Sequence, residues 1–151
     1  MVDKKILASI APCGLNCEKC FAYVDGEIRK YSSKLRMLLG NFGPYAKRYE
    51  TLLEDQIFKK YPAFIEMLEY FAEENCLGCR NEQCKLFKKC GVRTCYIEKK
   101  VDFCFQCEEF PCDHTNFDKN LQDAWVRINN KIAEIGIEQY YEGWKNRNRY
   151  P

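Results

Sequence analysis

Histidine is nearly absent. One residue of the 151, His114, is the only imidazole, so acid–base catalysis at neutral pH has almost no ordinary equipment here. No phosphate-binding glycine loop, nucleophile elbow or paired catalytic carboxylate motif is present either. Long apolar runs are also missing: Ile6 to Ala11 is six residues, interrupted by Ser9 and stopped by Pro12. That is too short for a secretory signal or a membrane span. Neither charge is in excess. With 24 basic and 22 acidic side chains, composition gives no general drive toward nucleic acid or an anionic membrane.

Cysteine is what the chain has in abundance. Its eleven cysteines are an odd count, and without an export signal they argue against a disulfide framework. The expected compartment is the reducing cytoplasm, where thiols stay available to a metal. Eight of the eleven fall between Cys76 and Cys112. The pairs Cys76-x2-Cys79 and Cys104-x2-Cys107 each place two sulfurs on one tight turn, within reach of a single tetrahedral ion. A first group, Cys13-x3-Cys17-x2-Cys20, sits beside Pro12 and Gly14, which imply a turn. That spacing is shared with the cluster loop of radical S-adenosylmethionine enzymes. The alternating strands and glycine-rich motif those enzymes need do not follow it.

The cysteines and His114 make twelve candidate ligands, enough for three tetrahedral sites. Proximity suggests Cys76, Cys79, Cys84 and Cys90 as one site and Cys95, Cys104, Cys107 and Cys112 as another. The trio Cys13, Cys17 and Cys20 then needs His114 or a cysteine from the main cluster. Interleaved pairings are equally allowed, and two or three cysteines are expected not to bind. Zinc is favoured over an iron–sulfur cluster because the ferredoxin run of spacings ending in Cys-Pro is absent; Pro111 precedes Cys112 instead. None of the C-x-x-C pairs has the strand-then-helix context of a thioredoxin site.

The fold class expected is mainly α, as one metal-stabilised domain over 1–151. The cysteine-rich parts, 13–20 and 76–114, form an irregular half of short helices and knuckles, with room for one short hairpin where Val101, Phe103 and Phe105 alternate. Residues 25–75 read as a helical insert without cysteine. A first helix runs from Glu27 to Leu39, with Leu35, Leu38 and Leu39 on one face and Gly40 as its stop. A second opens at Pro44 and carries Tyr45, Tyr49, Leu52, Leu53 and Ile57. A third opens at Pro62 with Phe64, Ile65, Leu68 and Phe71. These helices are expected to supply the ordinary core. Residues 116–147 read as C-terminal helices: Phe117, Leu121, Trp125, Ile128, Ile132 and Ile135 form a stripe that ends at Gly136.

Between Arg80 and Lys100 lie seven basic and two acidic residues. Charge compensation explains the run first, since four thiolates on one zinc leave a net charge of about minus two. With Phe87, Tyr96, Phe103, Phe105 and Phe110 interleaved, the same run is also the candidate surface for single-stranded nucleic acid.

The segments PCGLNCEKCFAY, CLGCR, CGVRTCYIEKK and FCFQCEEFPCDH together resemble a family of small cysteine-rich bacterial and archaeal proteins classed as a domain of unknown function. The resemblance implies a cytoplasmic protein with a cysteine-bound metal, generally taken to be zinc, and no established activity. It carries onto Cys13, Cys17, Cys20, Cys76, Cys79, Cys90, Cys95, Cys104, Cys107 and Cys112, and least onto Cys84 and His114. The functional expectation is a non-catalytic module that binds a protein or nucleic-acid partner and no membrane. The alternative is an iron–sulfur or thiol-based redox or metallo-enzyme.

Overall fold

A computed structural model describes residues 2–150. Among these there are seven α-helices and no strand; only two isolated bridges, Ile10 with Asn16 and Tyr23 with Cys76, pair extended backbone. The mainly helical class is as the sequence implies. The hairpin is not: Gln106 Oε1 accepts the N–H groups of Asp102 and Phe103, both at 2.9 Å, and folds this stretch into a 3₁₀ turn at Cys104–Gln106. No second strand lies beside it.

The first helix, α1 (Lys4–Ser9), occupies the short apolar run near the start, where Asp3 accepts from the Lys5 N–H as its cap. Three helices make up the insert. They are α2 (Glu27–Leu39), α3 (Gly43–Leu52, with Pro44 in its first turn) and α4 (Tyr61–Glu73, with Pro62 in its first turn); a 3₁₀ segment, Gln56–Lys60, precedes α4. Helices α2 and α4 run antiparallel. Phe42 meets Tyr61 at one end, ring centroids 5.2 Å apart, while Ser33 Oγ donates to the Ala72 carbonyl nearer the other. At the base, Val24 N–H donates to Cys76 O and Cys76 N–H to Ala22 O, both at 2.9 Å. The two ends of the insert are thereby joined, and Cys76 is delivered beside the first cysteine group.

The cysteine-rich stretch holds only α5 (Val92–Glu98) and the 3₁₀ turn. Helix α6 (Lys119–Ile135) follows, its Asp118 side chain accepting from the Leu121 N–H, and α7 (Ile137–Glu142) turns back after Gly136. None of the described helices is long and apolar enough to cross a membrane.

The core lies away from the insert, contrary to the expectation from its apolar stripes. Ile6 and Ile10 pack with Phe103, Ile132, Ile137, Tyr140 and Tyr141. Across the three insert helices only Ser32, Ala46, Leu68 and Ala72 are buried, and Leu38 is 75% exposed. Between α2 and α4, Ser33 Oγ donates to the Ala72 carbonyl and Arg36 pairs with Glu73 at 3.0 Å, and Leu68 is the one large apolar side chain buried in these three helices. Periodicity shows which side of a helix is apolar; it does not show whether anything covers that side.

This location of the core sets a first expectation. Ile132→Ala, at a fully buried position, should cost about 2–5 kcal/mol in urea denaturation, and Leu38→Ala less than about 0.5 kcal/mol. A larger loss at Leu38 would return the core to the insert.

Candidate metal centre

All eleven cysteines are free thiols, and the fold divides them between two apolar cavities that share Val92 in their walls. The larger, of about 40 Å³, is lined by Cys13, Cys17, Cys20, Cys76, Cys79, Cys84 and Cys90. The smaller, of about 20 Å³, is lined by Cys95, Cys104, Cys107 and Cys112, with His114 at its edge. His114 is exposed.

Each group is assembled by its own contacts. Gly14, at φ +87°, lets the first motif turn against α6; a Cβ there would stand 2.5 Å from Ile128 Cγ2. Asn129 then holds the turn, its Nδ2 donating to Cys13 O and Trp125 O, both at 2.9 Å. Its Oδ1 accepts the Phe105 N–H at 3.0 Å, which brings the Cys104 turn to the same place. Gly91 sits so close to the His114 backbone that a Cβ would meet its carbonyl oxygen at 2.0 Å. That contact brings the Cys90 and Cys112 segments together. The C-terminal residues cover the first motif: Lys19 Nζ donates to Arg147 O at 2.7 Å and Arg149 Nη1 to Asn16 O at 2.7 Å.

Around the larger cavity the thiols interact with one another. Cys79 is held well above the usual thiol range by hydrogen bonds to Cys17 and Cys84, with burial adding to the effect. Those same hydrogen bonds from Cys79 lower Cys17 and Cys84, and the nearby Arg149 guanidinium lowers both further. Burial pushes Cys13, Cys76 and Cys90 upward. Backbone N–H groups oppose that shift at each: Leu15 for Cys13, Gly78 for Cys76 at 3.4 Å, and Val92 and Arg93 for Cys90. Leu86 and Phe87 act likewise on Cys84. At four of the seven, then, an N–H two residues ahead favours negative charge on sulfur.

In the smaller cavity burial drives the Cys104 thiol up to about 12, and the Trp125 side chain opposes this. The indole Nε1 of Trp125 is buried without a hydrogen-bond partner. Its N–H is therefore free for a thiolate at Cys104. Arg93 and Arg149, which line the larger cavity, each carry an equally unpartnered buried Nε. In the sequence Trp125 reads only as part of an apolar stripe, and Arg149 gives no signal, since a single cation in a polar tail carries no pattern.

Among the described residues no three Cys, His, Asp or Glu side chains already frame an ion. The donor chemistry nevertheless suits a soft or borderline cation: every candidate sulfur is free, and the side chains of Trp125, Arg93 and Arg149, which line the two cavities, carry buried N–H groups without an acceptor.

The basic run is partly committed to internal contacts. Arg80 donates from Nε to Leu7 O at 2.8 Å and from Nη2 to Asp102 O at 2.7 Å, while its guanidinium lies over the Tyr96 and Phe103 rings. Lys99 pairs with Glu109, and Lys85 bonds Asn75. Phe103 and Phe110 are likewise occupied, the first fully buried and the second edge-on to Trp125 with centroids 4.8 Å apart.

Fold and cavities together define a mainly helical, cysteine-rich protein with its thiols gathered at two neighbouring centres. The chain belongs to the family described as Protein of unknown function (DUF3795), which residues 9–117 match. No curated protein and no solved structure matches it.

The place of Arg80 yields a second expectation. Arg80→Ala leaves two carbonyls without their donor and should cost about 1–3 kcal/mol in urea denaturation. Lys100→Ala, at an exposed position, should stay within about 0.5 kcal/mol. Equal effects would mean that Arg80 is not the staple described here.

Proposed function

We propose that the protein is a non-catalytic module in which thiolate-bound zinc fixes the cysteine-rich body and the helical insert is presented to a protein partner. The observation that carries the metal is the gathering of all eleven cysteines, none in a disulfide, around two adjoining cavities. Cys95, Cys104, Cys107 and Cys112 would hold an ion at the smaller cavity. Cys13, Cys17, Cys20, Cys76, Cys79, Cys84 and Cys90 provide the donors at the larger. His114, exposed at the edge, is not needed to complete four sulfurs at the smaller one.

A protein partner is favoured over nucleic acid for two reasons. The basic run spends Arg80, Lys85 and Lys99 on internal contacts, so fewer cations remain for phosphate. On the insert, Tyr31, Leu35 and Leu38 of α2 recur at one face and are exposed, as are Phe64 and Met67 of α4. Adjacent exposed apolar side chains suit a protein surface better than a phosphate backbone.

Element analysis of protein purified with reductant and without oxygen tests the reading. Zinc should be present, and Cys107→Ser should lower it by about one ion per chain and drop the thermal midpoint by roughly 10 °C. Unchanged zinc and stability in Cys107→Ser would reject the assignment. Iron with visible absorption would replace zinc by an iron–sulfur cluster.

A further inference from the structure

We propose that residues 145–150 form a strap over the larger cavity, and that this strap is what shields the thiols of Cys17 and Cys20. The inference concerns access to the sulfurs and stands apart from the identity of any ion they hold.

The segment adds nothing to the core. Among the described residues no helix follows α7, all of residues 145–150 except Arg149 are exposed, and none of them joins the buried apolar clusters. What fixes the segment is polar. Lys19 Nζ donates to Lys145 O at 3.4 Å and to Arg147 O at 2.7 Å, Arg149 Nη1 donates to Asn16 O at 2.7 Å, and the Tyr150 hydroxyl accepts the Phe21 N–H at 3.3 Å. Each of these partners lies between Asn16 and Phe21, on the stretch that carries Cys17 and Cys20. The Tyr150 oxygen itself stands 3.9 Å from Cys20 Sγ.

The strap is placed to close one cavity and has room to lift. Arg149 is the one residue beyond Phe117 in the wall of the larger cavity, where it stands with Cys17 and Cys20. No residue of the segment lines the smaller cavity. Along the strap runs an open cleft of about 300 Å³, bounded also by Lys19, Glu27 and Ile28, so the segment is not packed down on that side. A stretch held by a few polar bonds, with no apolar side chain in the core, belongs to the low-stability end of a fold. It opens while Ile6, Ile132 and Tyr140 stay packed.

Pulse alkylation of the full chain with iodoacetamide, each cysteine then mapped by mass spectrometry, tests the proposal. Arg149→Ala removes a charge-assisted bond to Asn16 O, which favours the open strap by about tenfold or more, and alkylation of Cys17 and Cys20 should quicken by that factor. Lys19→Ala, from the other side of the seam, should do the same. Cys95, Cys104, Cys107 and Cys112 should keep their rates. Each substitution removes a cation near these thiols, which disfavours thiolate and by itself slows alkylation, so a quickening reports opening. Equal quickening at all eleven cysteines would overturn the strap, because Arg149 and Lys19 would then hold the fold as a whole. Unchanged rates at Cys17 and Cys20 in either folded variant would overturn it too, since something else would then shield those sulfurs. If Arg149→Ala does not fold, Lys19→Ala decides the matter.

Discussion

The side-chain amide of Asn129 is the contact on which the arrangement of this protein turns. It is fully buried, and its three hydrogen bonds reach the first cysteine motif, the turn that carries Cys104, and its own helix. A buried amide left unpaired costs about 1–3 kcal/mol for each group, so this position is stable only when all three segments are in place. Helix α6 orders the molecule along one face. Trp125 points to the smaller cavity, Asn129 one turn later gathers the loops, and Ile132 a turn beyond fills the core. The spacing of i, i+4 and i+7 that marks an apolar stripe is here divided among three tasks.

A body built this way is short of ordinary cohesion. Between Cys76 and Asp118 the chain has a seven-residue helix and a single 3₁₀ turn, and among the described residues no sheet ladder ties it down. Arg80 supplies one cross-link, by joining the end of α1 to Asp102 while stacked on two rings. The thiols are the other material available. Burying so many sulfurs raises the proton affinity of several, Cys13 and Cys104 among them, yet the fold opposes its own desolvation by aiming N–H groups at the same atoms. Donors so placed do little for a neutral thiol. Their value is realised once the sulfur is charged, which is the physical reason for reading the cavities as metal centres rather than as packing gaps.

Much of the helical layout was legible because it is written locally. Gly40 and Gly136 stop helices, and Pro44 and Pro62 sit in first turns, wherever the rest of the chain goes. That Cys95, Cys104, Cys107 and Cys112 line one cavity also follows from nearness in the chain. The seven-cysteine cavity was less legible, since it depends on residues 13–20 meeting residues 76–90 across a fifty-residue insert. Backbone bonds to Cys76 bring that about, and backbone bonds have no sequence signature. Arg80 and Lys100 look alike in a charge run, yet one is half-buried under two rings and the other is exposed. Burial decides such cases, and it belongs to the fold as a whole.

The insert presents the opposite balance from the body. In α2 and α4 only Ser32, Leu68 and Ala72 are buried, with Ser33 Oγ donating to the Ala72 carbonyl. Yet large apolar side chains are there, turned outward: Met37 is 77% exposed, and Leu38 and Met67 stand in solvent as well. Charge is unevenly divided over the same pair, with Lys30 and Lys34 on α2 and Glu66 and Glu69 on α4, all exposed. Apolar side chains left in water do not stabilise the arm. A protein partner seated on them, as proposed above, would meet opposed charges on the two helices, which would set its orientation. A body fastened by thiolate-bound metal would give such an arm a rigid base, because the bonds at Cys76 join the root of the insert directly to the larger cavity.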